Sequence, residues 1–278
     1  MAEPVKSGLM QATEIARQSD LRQSSNGVHY TAFGENNLES ADLARIVQAV
    51  PASIASSLGR KAYYFVPLTL MDKPLDLDAS LPVSSRSEDS DDPMIATTYN
   101  AELSDRAICH RDVRLAGRAG TAHEAGIDGV FISTRLLGDR FALAFEFFIN
   151  VSHAFVDIAG IPKPFSDLVW EQAVADVRGE TSRDAWESRE LSKAKNLKTN
   201  PRTLIDEKAR NEYIEAAFSD AVAIYQLSLA IDFEYAELRE RDYPLLAPQA
   251  LADRLRAVAK LFPPNAGYEF AIRYKRRS

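Results

Sequence analysis

Residues 139–160 read DRFALAFEFFINVSHAFVDIAG, and no other stretch limits the fold of this chain so strongly. At about 3.6 residues per turn it makes roughly six turns of helix, apolar nearly all the way round, as befits a rod through the middle of a globular domain. Phe141, Phe145, Phe147, Phe148, Ile149, Phe155 and Val156 supply that apolar body. Glu146, Asn150, His153 and Asp157 interrupt it at intervals of four, three and four, which puts them along one helical stripe. Burying such groups without partners costs about 1–3 kcal/mol for a polar side chain and more for a charge. The stripe is therefore expected to meet another helix, ordered water, a metal or a substrate.

The structural reading of the stripe is a hydrogen-bonded core histidine, with Asp157 one turn beyond His153 as its partner. The chemical reading treats Glu146, His153 and Asp157 as metal ligands or acid–base groups, with Asn150 orienting a ligand or a water. Two helical metal patterns can be laid over it. A di-iron bundle needs E-x-x-H on two helices. The chain offers N-x-x-H at Asn150–His153 and E-x-x-H nowhere, so a bridging carboxylate is missing. A zinc-peptidase helix needs H-E-x-x-H. With its second histidine set on His153, the chain reads Ile149-Asn150-Val151-Ser152-His153.

The order of a short strand, GVFIST (Gly129–Thr134), a buried helix ending in HAFVD and a later helix containing EAAFSDAVAIYQL resembles the core of the zincins, the minimal zinc metallopeptidases. His153, Ala154, Phe155 and Asp157 match the tail of the family's active helix. Ser219, Asp220, Val222 and Ala223 match its downstream helix, where Glu215 stands about one residue out of register with the third-ligand position. The stripe and the resemblance together give His153, Glu146 and Asp157, with Glu215 from the later helix, as candidate metal ligands, and the stripe gives Glu146, Asn150, His153 and Asp157 as candidate catalytic groups. The departures are chemical. Ile149 cannot bind zinc and Asn150 cannot take a proton from metal-bound water, so the family's hydrolytic chemistry has been lost or rebuilt.

Composition narrows the rest. The chain has 278 residues, 46% of them hydrophobic, enough for one large core or two modest ones. Its 40 acidic residues against 33 basic give a net charge of −7, which disfavours general nucleic-acid binding because phosphate contacts need a basic face. The basic end, Arg273, Lys275, Arg276 and Arg277, reads as solvated. Cys109 is the single cysteine, so intramolecular disulfides, thiolate zinc knuckles and iron–sulfur ligation drop out. A reducing, cytoplasmic setting fits. No apolar secretory segment is expected near Met1. The polar stripe, with Asp139 and Arg140 beside it, argues against a membrane span.

The expected fold class is α+β: a small sheet in the N-terminal half packed on the buried central helix, and a mainly helical C-terminal half from about residue 166. Residues 1–25 are expected as a flexible N-terminal arm and 26–278 as a single domain. Strands are expected at Val28–Phe33, Lys61–Leu70, Arg106–Leu115 and Gly129–Thr134. Pro51 should kink or divide the helical pattern that follows Ser40. The acidic, Ser- and Pro-rich stretch at about 71–93 reads as a surface loop. Prolines 162 and 164 should end the central helix. Helical patterns follow at 167–178, 181–197, 204–241 and 249–262, with GYEFAIRYK as a closing strand.

Lesser candidates lie elsewhere. His123 and Glu124 sit in a Gly-flanked stretch that reads as a solvated loop. Cys109 and His110 suggest a nucleophile and base, but neighbours on a strand point to opposite faces, which favours a structural cysteine. The acidic run Glu88–Asp92 lacks the spaced ligands and glycine of a calcium loop. Glu212, Glu215 and Ser219 share a face of the long helix that either meets the stripe or faces water. Three functions fit: a zincin-like binding or structural protein without metallopeptidase residues; an enzyme, hydrolytic or metal-dependent, whose non-standard site on the 146–157 helix is completed by Glu215, Asp220 or His123; or a helical, oligomer-forming structural protein. A bound zinc or iron and the absence of any metal are equally open, as is a homo-oligomer, and the partner is a protein or a small molecule.

Overall fold

The computed structural model describes residues 8–71, 92–115, 126–138, 140–193, 206–231 and 248–272. It has the α+β organisation expected: two small sheets in the first half and mostly helices in the second. The chain divides into two compact units, 1–47 with 59–146 and 48–58 with 147–278, where the sequence reading draws one domain over 26–278.

The first unit holds both sheets. Strands β2 (Arg22–Gln23), β3 (His29–Ala32), β4 (Lys61–Val66), β9 (Ile127–Ser133) and β8 (His110–Leu115) lie side by side in that order. β3, β4 and β9 are parallel, in the register Tyr30 to Tyr63 to Val130, while β2 and β8 run antiparallel at the edges. KAYYFV of β4 is buried from Ala62 to Val66, the near-continuous apolar run of a parallel strand covered on both faces. Ala62, Tyr64 and Val66 alternate onto one face with Phe131, and Tyr64 stacks on Phe131 with ring centroids 4.6 Å apart. The second sheet is antiparallel: β1 (Leu9–Gln11), β6 (Met94–Ala96), β5 (Leu68–Leu70) and β7 (Ala107–Ile108).

Two expectations change here. Lys61–Leu70 is not one strand. Pro67 has no N–H to give a ladder, and the chain passes at that residue from β4 in one sheet to β5 in the other. Nor are residues 9–23 a loose arm: β1, helix α1 (Ala12–Gln18) and β2 are ordered, and Ala12 and Ile15 are fully buried in the core of the larger sheet. Ala12, Ile15 and Ala16 lie within one turn on one helical face, a short stripe that polar neighbours hide in the sequence.

The second unit is helical. Residues 48–58 carry α3 (Ala52–Ala55), which Pro51 separates from α2 (Ser40–Gln48), as its missing N–H requires. Asn265 ties this piece down, accepting from Ala52 N at 2.9 Å and donating to the carbonyls of Gln48 and Val50 at 2.8 Å each. After the single turn of α4 (Ala101–Ser104) in the first unit, capped by the Asn100 side chain, comes the long α5 (Arg140–Ala159). It is divided between the units after Glu146 and ends at Gly160, whose φ of +68° is a left-handed cap. Pro162 and Pro164 then do more than stop α5. They start α6 (Lys163–Val174), with a proline in its first turn, where no N–H is needed. α7 (Arg183–Lys193), α8 (Glu207–Ala230) and α9 (Pro248–Leu261) follow. Asp206 caps α8 by accepting from the N–H groups of Lys208 and Ala209. Phe155, Phe165, Phe218 and Phe262 pack as one aromatic group, with Phe165 and Phe218 centroids 4.8 Å apart. Residues 267–272 form no strand, and the basic end at 273–278 lies outside the described residues.

Candidate functional site

The polar stripe of α5 is not uniformly buried. Leu143, Ala144, Phe147, Phe148, Val151, Ala154, Phe155 and Val156 form the buried face; Glu146 and Asn150 are half-buried, while His153 and Asp157 are exposed. Water therefore reaches the second half of the stripe, and the requirement for a buried partner falls on the first half alone. By length and composition Phe141–Ala159 is apolar enough to cross a bilayer, but half of that span is covered inside the protein, as in a core helix.

Glu146 has a partner that the helix itself does not supply. His110 Nδ1, at the start of β8, stands 2.5 Å from Glu146 Oε1. A bend at Cys109 separates β7 from β8, so the strand argument for opposite faces fails there, and Cys109 and His110 both interact with Glu146. The hydrogen bond that His110 makes to Glu146 raises the pKa of His110, partly offset by burial. Burial, and then the charge of Glu146, push the Cys109 thiol up, with the Arg135 guanidinium acting in the opposite sense. Pattern matching on α5 misses His110 because the pair joins residues 36 apart in sequence.

His153, in the second unit, interacts electrostatically with Asp220 of α8, the residue that matches the zincin downstream helix. Asp220 is 8% exposed, accepts from Thr181 Oγ1 at 3.1 Å and is also bonded by Ser182. Burial raises its pKa. Glu215 is exposed on α8 and Glu212 pairs with Lys208 at 3.6 Å, whereas Ser219, one turn further along, is fully buried, so that face of the helix is solvated only up to Glu215. Among the described residues no three His, Cys, Asp or Glu side chains gather as a metal ion would require. His123, Glu124 and all of the acidic run except Asp92 lie outside the described residues. Asp92 accepts from the backbone N–H and the hydroxyl of Thr13.

The most extensive buried polar network among the described residues has no sequence signature. Glu180, 4% exposed, accepts from Tyr213 Oη at 2.7 Å and Arg254 Nη2 at 3.4 Å on one carboxylate oxygen, from which Arg189 Nε stands 3.5 Å away as an ion pair without a hydrogen bond. Arg254 also donates to Gln172 and to the Gly179 carbonyl, and Arg189 reaches Asp176 at 2.9 Å. Asp176 holds a left-handed φ of 56° and closes α6, with Val177 N bonded back to Gln172 O. These bonds fasten the 176–182 connection to α7, α8 and α9. Every charge is directed at another protein group, the arrangement of a structural clamp rather than an open site. No protein-family model matches the chain, and no curated protein matches it.

Proposed function

We infer that this is a zincin-like protein without the metallopeptidase constellation, acting in the cytoplasm as a binding or structural protein. One observation carries the reading: the residues that the zincin pattern would use face different surroundings. Glu146 is engaged by His110, whereas His153 and Asp157 are exposed and Glu215 faces solvent. Ile149 and Asn150 occupy the positions of the missing ligand and general base. Metal analysis of the purified full chain by mass spectrometry tests this. Substoichiometric metal, unchanged in His153→Ala, is expected. Stoichiometric zinc or iron that disappears in His153→Ala would overturn it in favour of a metal-dependent enzyme.

The oligomer reading draws on apolar side chains left open in the helical unit, among them Val174 at 69% and Leu191 at 58% exposure, with Trp186 on the same helix as Leu191. A light-scattering mass of one chain would remove it.

A further inference from the structure

Strand β8 closes one edge of the larger sheet, and among the described residues β9 is its one strand neighbour there. Ser133 N–H donates to the Cys109 carbonyl at 2.8 Å. From that bond and the β8–β9 register, Arg111, Val113 and Leu115 exchange backbone bonds with Phe131, Gly129 and Ile127. The alternate residues, His110, Asp112 and Arg114, therefore turn their N–H and C=O groups away from β9. Among the described residues no backbone group meets those of Asp112 and Arg114. An edge of this kind is a template for another strand. The side chains say which strand fits. Val113 and Leu115 are buried in the core that holds Ala12 and Ile15, while Asp112 and Arg114 stand exposed on the opposite face. Neither forms an ion pair among the described residues; Asp128, beside Arg114 on β9, is met by Lys61 at 4.0 Å. Like charges along an edge would repel a second copy of it, whereas an acid and a base two residues apart are complementary to themselves when read in the opposite direction.

We propose that β8 pairs with β8 of a second copy of this chain, antiparallel about a two-fold axis at Val113, so that one sheet runs through both copies. In that register Asp112 lies opposite the partner's Arg114 and exchanges backbone hydrogen bonds with it, and Arg114 does the same with the partner's Asp112. The opposed side chains are then acid against base in both symmetry-related pairs. Other registers are worse. An axis at Asp112 sets that carboxylate against its own copy, and an axis at Arg114 opposes two guanidiniums. An axis at Arg111 runs the pairing into the bend at Cys109. The contact is isologous, so it closes as a dimer instead of growing into a fibre. A strand pair is a small interface, which makes the association of the weak, concentration-dependent kind. The surface belongs to the first unit; it does not rest on the zincin reading, and it is separate from the open apolar side chains of the helical unit.

Sedimentation velocity of the full chain over a concentration series is the test. A mass rising toward that of two chains is expected. Asp112→Arg and Arg114→Asp should each raise the dissociation constant by on the order of 10-fold or more, because each sets like charges across both pairs. Both side chains are exposed, so neither change disturbs the core. Mixed in equal amounts, the two variants should regain the wild-type association, since each supplies the charge that the other lacks. Leu191→Glu, in the helical unit, should leave the association unchanged. A wild-type mass of one chain at every concentration overturns the proposal, as do charge variants that associate like wild type or a mixture that stays as weak as its components. An association lost in Leu191→Glu but kept in the charge variants would place the contact on the helical unit and overturn the strand pairing.

Discussion

A β-carbon on Gly179 would stand 2.8 Å from Cζ of Arg254 and 2.9 Å from its Nε. The guanidinium is poorly placed to move aside, since it is 1% exposed and bonded to Gln172, Gly179, Tyr213 and Glu180. Gly179→Ala is therefore expected to destabilise the protein by about 1–3 kcal/mol through overpacking. The effect should appear as a lower urea midpoint at an unchanged m-value. A wild-type midpoint would mean that the Arg254 head group yields without cost.

Glu180 is the only carboxylate shown meeting both buried guanidiniums, Arg189 and Arg254, among the described residues. Glu180→Ala leaves two buried cations short of their counter-charge, which costs about 3–5 kcal/mol. Tyr213→Phe removes one hydroxyl from the same oxygen and should cost nearer about 1 kcal/mol. Chemical denaturation of both variants checks the order. Equal losses would show that Tyr213, not Glu180, organises the clamp.

How much of this was legible in the sequence depends on the range of each interaction. Period and punctuation are local, so α5, the break at Pro51, the strand at β3 and the helical second half could all be read from spacing. Pro67 was visible too, but the sequence alone does not say that the chain changes sheets there. Ile15 was hidden because a seven-residue helix shows too few turns for its stripe to stand out. The site fared worse. The stripe on α5 was legible, yet its burial is decided by what packs against it, and Glu146 finds His110 only because the β7–β8 bend turns that ring toward α5. Tyr213 and Arg254 lie 33 and 74 residues from Glu180, and nothing in the spacing of these residues or of Arg189 announces a network.

The His110–Glu146 pair should make stability depend on pH. The folded state holds the His110 proton more tightly than the unfolded chain does, because Glu146 raises its pKa. That contribution is complete below the unfolded value of about 6.5 and is lost as pH rises through the higher folded value. With His110 40% exposed, solvent screening holds it below about 1 kcal/mol. Urea midpoints measured on either side of neutrality should fall with rising pH in wild type, and less so in Glu146→Gln. Parallel slopes in the two proteins would exclude this linkage.

Asp220 should act over a more acidic window. Burial raises its pKa in the folded state above the unfolded value of about 3.9. Between those two values the folded protein keeps a proton that the unfolded chain has released. Stability therefore falls as pH rises through that window, and the cost of ionising the buried carboxyl persists above it. Asp220→Asn removes the titration while its amide oxygen can still accept from Thr181 Oγ1, now at 3.1 Å. The variant is expected to gain on wild type as pH rises, with a melting temperature higher at neutrality by roughly 2–4 °C for each kcal/mol recovered. Thermal unfolding of both proteins from acid to neutral pH measures the difference. If wild type gains on the variant instead, the hydrogen bonds from Ser182 and Thr181 and the charge of Arg254 outweigh burial, and Asp220 is held as a carboxylate.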